Sequence, residues 1–176
     1  MRRKAKGGST SILLDTSAYS HFARAGHYGL LERVFQGRLA VLSLVCDEAE
    51  RGTKRFPELK ALAASIDGGK TGMIDDLTEK EYELIAGLPR KFSDTDRACI
   101  AVAQERSMVI ATDDEDILAE AGKRGIETFE TEDILEEAVK TIGSKRVREV
   151  LSDIVGSGAD KNFRGLKLNK GFMLCW

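Results

Sequence analysis

Short apolar segments alternate with longer helical patterns along the chain, and this alternation constrains the fold more than any other feature. Segments that suit buried strands occur at residues 11–14, 39–42, 71–74, 108–111 and 126–129. Between them, apolar residues recur at the three- and four-residue spacing of a helix. Because strands separated by helices usually run parallel, the pattern predicts an α/β fold with a central, mainly parallel sheet flanked by helices.

The size and charge of the chain limit what it can bind. Its 176 residues suffice for one domain, or one domain with a small appendage. Lys and Arg number 27 against 29 for Asp and Glu, a formal net charge of -2. The basic surface of a high-affinity duplex binder is therefore missing, and contact with a nucleic acid is expected only from local patches.

The cysteines and apolar runs predict a cytoplasmic protein. Three cysteines without C-x-x-C spacing and only two histidines disfavour a disulfide framework and a zinc cluster. The longest apolar runs, residues 41–46 and 98–103, are too short to span a bilayer. Asp15 interrupts the first apolar segment, unlike the apolar region of a signal peptide. We therefore expect no membrane contact.

Acidic residues fall close to the ends of the predicted strands. Asp15 directly follows the first strand, and Glu48 lies on the helix after the second. Asp96 lies in the first turn of the helix that precedes the strand at 108–111, and that strand is followed by acids at 113, 114 and 116. In an open parallel sheet, ligands bind outside the carboxyl ends of the strands. These acids are therefore expected to converge on one cleft.

Helical phase places two of these acids at the edge of the core. Glu48 shares a face with Leu44 and Val45, and Asp96 shares one with Cys99 and Ile100. Clustered carboxylates repel one another and remain ionised together only with a cation among them. Ligands that are all oxygen suit Mg²⁺ or Mn²⁺, which activate water for attack on a phosphodiester.

Each acid also has a purely structural interpretation. Asp15 suits the N-cap of the next helix, Ser93 and Asp96 match a capping box, and the acids at 113–116 suit the positive end of a helix. The number of acids at one predicted edge favours a functional site over three separate caps.

The segments that carry these acids resemble those of the PIN-domain ribonucleases. The four matching segments, in the family's order, are Ile12-Leu-Leu-Asp-Thr-Ser17, Leu42-Ser-Leu-Val-Cys-Asp-Glu48, Ser93-Asp-Thr-Asp-Arg-Ala-Cys-Ile-Ala-Val-Ala103 and Val109-Ile-Ala-Thr-Asp-Asp-Glu-Asp116. The resemblance covers roughly residues 11–135. It implies a PIN-like three-layer fold and a ribonuclease that depends on Mg²⁺ or Mn²⁺.

The same resemblance assigns roles to individual residues. It maps the family's metal-binding, catalytic acids onto Asp15, Glu48, Asp96 and Asp114. Two neighbouring acids are alternatives for the fourth position, Asp113 and Asp116. Hydroxyls that support the acids or the metal in the family correspond to Thr16 or Ser17 and to Thr112. Beside Asp96, Arg97 is a candidate phosphate contact, or simply part of a solvated helix start.

Three functions follow as hypotheses. The leading one is an endoribonuclease acting on RNA, either the toxin of a toxin-antitoxin pair, with an antitoxin protein as partner, or an rRNA-processing enzyme. The second is a non-catalytic PIN-like module that binds RNA or supports assembly. The third, a receiver-type phospho-acceptor domain, is disfavoured because Asp15 stands alone at its strand and Glu127 follows Ile126, where that class expects a Lys.

The remaining predictions concern organisation. We expect a basic N-terminal arm at residues 1–10, a PIN-like nuclease domain at 11–135, and a C-terminal helical extension with a basic tail at 136–176. The helical region at 132–155 carries more apolar residues than one narrow stripe needs, which together with the resemblance predicts a homodimer. Packing of those residues over the edge of the sheet is the alternative.

Overall fold

The computed structural model describes residues 10–157, in which five parallel strands form one sheet. The strands are β1 (Ile12–Leu14), β2 (Leu39–Leu42), β3 (Thr71–Ile74), β4 (Val109–Ala111) and β5 (Thr128–Phe129). Their order is β3-β2-β1-β4-β5, and every neighbouring pair is parallel. The predicted α/β fold is therefore confirmed.

Helices flank this sheet. They are α1 (Thr16–Arg24), α2 (Tyr28–Phe35), α3 (Ser43–Gly52), α4 (Lys60–Asp67), α5 (Glu79–Gly87), α6 (Asp94–Glu105), α7 (Glu115–Arg124) and α8 (Thr131–Ser157). A short 3-10 helix, Pro57–Leu59, precedes α4. Each lies where apolar periodicity predicts a helix, and α1 begins three residues earlier than the pattern alone suggests, because the side chain of Asp15 caps it.

The central strands are buried on both faces, which explains why they are continuous apolar runs instead of alternating patterns. All residues of β1 and β4 are buried. The sheet order reverses between these two strands, since β2 and β3 extend from one side of β1 and β4 pairs with the other. Leu14 pairs with Ala111 in register, so both strands end at the same level. Such a reversal is where open α/β sheets form their ligand crevice.

Helix α8 completes the core. It is interrupted at Gly143, whose φ of +77° is open to glycine at little energetic cost. It packs against α1 and α2, and its buried residues are Thr131, Ile134, Leu135, Ala138, Val147, Val150, Leu151 and Ile154. The described part of the predicted C-terminal extension is thus packed on the domain. The arm at 1–9 and the tail at 158–176 lie outside the described residues.

No helix within residues 10–157 is long and apolar enough to cross a membrane.

Candidate active site

Asp15 is buried at the carboxyl end of β1, with 4% of its surface exposed. Its Oδ2 accepts hydrogen bonds from the backbone amide of Ser17 at 3.3 Å, from Ser17 Oγ at 2.8 Å and from Thr112 Oγ1 at 2.9 Å. Burial raises the pKa of the Asp15 carboxyl, and these hydrogen bonds oppose that rise. The carboxylate is therefore held by neutral donors from two segments: Ser17, in the first turn of α1, and Thr112, the residue after β4.

Glu48 is connected to the Asp15 segment through Thr16. The residue after Asp15, Thr16, donates a hydrogen bond to Glu48. Its Oε2 accepts a hydrogen bond from Thr16 Oγ1 at 2.5 Å, and its Oε1 accepts one from Thr95 Oγ1 at 2.6 Å. Val45, one turn earlier on α3, is fully buried, whereas Leu44 is 37% exposed. Glu48 thus lies at the border between core and solvent, not on a wholly buried face.

Asp96 occupies the first turn of α6. Its backbone amide donates to Ser93 Oγ at 3.1 Å, and its Oδ2 accepts from the amide of Ser93 at 3.0 Å, so the predicted capping box is present. The helix also places fully buried Cys99 beneath it. Burial raises the pKa of the Cys99 thiol well above its usual value, and the negative charges of Asp15, Asp96 and Glu48 raise it further. Three carboxylates therefore lie close enough to this thiol to affect its pKa.

Asp114 is linked to Asp15 through Thr112. The amide of Asp114 donates to Thr112 Oγ1 at 3.1 Å, and the same hydroxyl donates to Asp15. The exposed carboxylate caps α7, since its Oδ1 accepts from the amides of Asp116 at 2.8 Å and Ile117 at 3.0 Å. The two acids follow adjacent strands, as their spacing predicted.

The two alternative acids have other partners. Asp113 is buried, and its carboxylate contacts His21 Nδ1 at 2.8 Å and accepts from the amide of Thr131 at 2.8 Å and its Oγ1 at 2.6 Å. This acid ties the end of β4 to α1 and α8. Asp116 is exposed and forms an ion pair with Lys91. Neither side chain joins the hydroxyl network around Asp15 and Glu48 in the described residues.

The family model DUF3368, described as a PIN domain, matches residues 11–160. The chain belongs to the PIN-domain family. No curated protein matches it significantly. Members of this family are generally nucleases, and they typically use divalent metal ions. The predicted family and fold are therefore confirmed, and the RNA predicted as substrate accords with the family.

The four predicted acids of this PIN domain offer only carboxylate oxygens, the donor type that a hard divalent cation prefers. In residues 10–157, no Lys or Arg pairs with Asp15, Glu48 or Asp96, so three negative charges near one thiol are left without a cation. Over the same residues, no three His, Cys, Asp or Glu side chains are close enough together to hold a metal as they stand. The acids that would bind Mg²⁺ or Mn²⁺ there are Asp15, Glu48, Asp96 and Asp114.

Within residues 10–157, two residues near this site carry buried polar groups without hydrogen-bond partners. The hydroxyl of Tyr19 is one of them, and its pKa is raised by burial and by the charge of Glu48. The other is Nε of Arg97, whose terminal nitrogen forms an ion pair with exposed Asp94. Arg97 thus lies one residue after Asp96, with its Nε buried and a terminal nitrogen paired with Asp94.

Thr95 is the site residue that sequence reasoning missed. A signal was available, because Thr95 lies four residues before Cys99 and so on the apolar face of α6. A threonine between Asp94 and Asp96 is nevertheless unremarkable in a sequence, and only the tertiary structure shows that its hydroxyl reaches Glu48 on α3.

Proposed function

We propose that this PIN domain is a metal-dependent endoribonuclease that hydrolyses RNA phosphodiester bonds. The observation that carries the proposal is a pair of adjacent hydrogen-bond clusters at the carboxyl edge of the sheet, one around Asp15 and one around Glu48, which are joined through the peptide bond between Asp15 and Thr16. Thr112 and Ser17 join Asp15 to the Asp114 loop, and Thr16 and Thr95 join Glu48 to the residues beside Asp15 and Asp96. In residues 10–157, these hydroxyls hold the carboxylates of Asp15 and Glu48 without a Lys or Arg that neutralises either acid.

The residues of the chain have distinct roles in this proposal. Asp15, Glu48, Asp96 and Asp114 hold Mg²⁺ or Mn²⁺, which when bound activates water and stabilises the negative charge that develops on phosphate. The hydroxyls of Ser17 and Thr112 keep the buried Asp15 carboxylate oriented. Arg97 and Lys91, on either side of Asp96, contact the phosphates that flank the scissile bond.

The test is Mn²⁺-dependent cleavage of a long single-stranded RNA. Glu48→Gln should lower the rate by about 100-fold or more, because it removes a charge that holds the metal. Asp47→Asn is the matched control, since Asp47 is exposed on the same helix and lacks a contact with the network in the described residues. A Glu48→Gln variant that cleaves as fast as Asp47→Asn would contradict the proposal and favour a non-catalytic module.

The biological role that we propose is the toxin of a toxin-antitoxin pair, with rRNA processing as the rival. Support comes only from membership of a family of nucleases. Expression of the wild-type chain should arrest growth, expression of Glu48→Gln should not, and an antitoxin should relieve the arrest. Growth that continues with active enzyme, together with altered rRNA ends, would favour the processing role.

A further inference from the structure

We propose that Thr95 is a positioning residue: together with Thr16 it holds both carboxylate oxygens of Glu48 in place before the metal binds. The inference rests on the proposed function, because it takes Glu48 to be a metal ligand. Thr95 itself contacts neither substrate nor metal in this assignment.

The two hydroxyls that donate hydrogen bonds to Glu48 belong to different helices. Thr16 belongs to α1 and donates to Oε2 at 2.5 Å, whereas Thr95 belongs to α6 and donates to Oε1 at 2.6 Å. Glu48 itself is on α3. A glutamate side chain has considerable rotamer freedom, and with one short hydrogen bond on each oxygen its carboxylate cannot turn without breaking both.

In residues 10–157, hydroxyl donors take the place of an ion pair at Glu48. The charges of Asp15, Asp96 and Glu48 act on the same buried thiol, and in residues 10–157 no Lys or Arg pairs with Glu48. An unrestrained Glu48 at the border of the core would turn toward water.

Neutral donors suit this task better than a cation does. Each carboxylate oxygen that accepts one hydroxyl keeps further acceptor capacity, so Glu48 remains a ligand. A Lys or Arg in place of Thr95 would neutralise the charge and compete with the metal for it. Partners that orient a ligand in this way commonly tune metal affinity.

The position of Thr95 on α6 explains how one helix serves two acids. Thr95 is 7% exposed and lies on the same face as Cys99, which is fully buried. The next residue, Asp96, belongs to the same turn of the helix. Helix α6 thus supplies one proposed ligand and the hydroxyl that orients another.

The experiment is calorimetric titration of the full chain with Mn²⁺, with no RNA present. Thr95→Val should weaken Mn²⁺ binding by about tenfold, because it keeps the shape and removes the donor. Thr95→Ser, which keeps the donor, should stay close to wild type. If Thr95→Val proves insoluble, Thr95→Ala removes the hydroxyl without adding bulk.

The matched control is Thr71→Val at the amino end of β3. Thr71 is 2% exposed, and its hydroxyl contacts Ser65 Oγ at 2.8 Å and the Tyr28 hydroxyl at 3.0 Å, so the variant also loses buried hydrogen bonds. It should lower the melting temperature but leave Mn²⁺ affinity unchanged. A loss of affinity in Thr71→Val equal to that in Thr95→Val would mean that destabilisation is the cause.

The outcomes separate this inference from the proposed function. If Glu48→Gln loses Mn²⁺ binding while Thr95→Val binds like wild type, the inference is overturned and the proposed function stands. If Thr95→Ser loses as much affinity as Thr95→Val, the hydroxyl is not responsible and the inference is overturned. If the wild-type chain binds no Mn²⁺, both fall together.

Discussion

Among the proposed ligands, Asp15 is the one whose carboxyl pKa is raised by burial. Its carboxyl is buried, and the donors that reach it, Ser17 and Thr112, are neutral hydroxyls and amides. Because burial raises its pKa in the folded chain above 3.8, ionised Asp15 lowers stability at neutral pH. This destabilisation appears as the pH rises past the pKa of Asp15 in the unfolded chain. It reaches its full size once the pH exceeds the pKa of Asp15 in the folded chain.

Asp15→Asn should therefore raise the melting temperature of the metal-free chain at pH 7 by a few degrees while abolishing cleavage. Asn keeps an acceptor for Ser17 and Thr112 and is as good an N-cap as Asp. The gain over wild type should shrink as the pH falls through 3.8, because the carboxyl of Asp15 in the unfolded wild-type chain then becomes protonated as well. Melting curves in EDTA at pH 7 and pH 4 measure this. A variant that melts well below wild type at pH 7 would show that capping outweighs the desolvation of the charge.

At the scale of elements, the site depends on where α6 lies, since that helix carries Thr95 and Asp96. An ion pair connects α6 to α5: exposed Arg106, directly after α6, contacts Glu81 through Nε at 2.6 Å and through Nη2 at 3.0 Å. Glu81 is fully buried and also accepts from the amide of Thr78 at 2.7 Å. Arg106 lowers the pKa of Glu81 to about 2.

Glu81→Gln should destabilise the chain by about 1–3 kcal/mol at pH 7, because it leaves Arg106 without its charged partner. A lowered folded pKa means that the pair stabilises the chain above pH 4.5 and that this contribution is lost as the pH falls toward 2. The free energy of unfolding, measured in urea, should therefore differ less between wild type and variant below pH 4.5. Glu83→Gln, at an exposed position on the same helix, is the control. A difference that stays constant down to pH 3 would contradict the assignment.

At the scale of the whole molecule, the question is how a chain of net charge -2 holds RNA. Long-range attraction is weak at that charge, and one cleft at a sheet edge contacts few phosphates. Pairing of two copies would extend the contact surface. The apolar residues of α8 no longer argue for a dimer, since most of them are buried against α1 and α2 within one chain.

The homodimer stays a prediction, based on the RNA surface that a single copy lacks and on the family resemblance. Light scattering at micromolar concentration should give about twice 19.3 kDa. A particle of 19.3 kDa with full nuclease activity would contradict it.

The sequence by itself determined the elements and the edge of the sheet at which the acids gather. All five strands and the helices between them follow from runs of apolar residues and their spacing, because burial on two faces demands continuous apolar strands and burial on one face demands a helical stripe. The position of Asp15, Glu48, Asp96 and Asp114 near strand ends follows from the same pattern.

Only the tertiary structure decided which partners these acids have, because hydrogen bonds between distant segments leave no periodic trace in a sequence. The choice among Asp113, Asp114 and Asp116 is an example: three acids within four residues look alike, and packing ties one to His21 and Thr131, one to the hydroxyl of Thr112, and one to Lys91. The hydrogen bond from Thr95 to Glu48 spans 47 residues and exists because the fold brings the first turn of α6 within reach of Glu48 on α3. Likewise, the many apolar residues of α8 are compatible in the sequence with a dimer interface and with a helix packed on the core. The contacts of α8 with α1 and α2 show that it packs on the core.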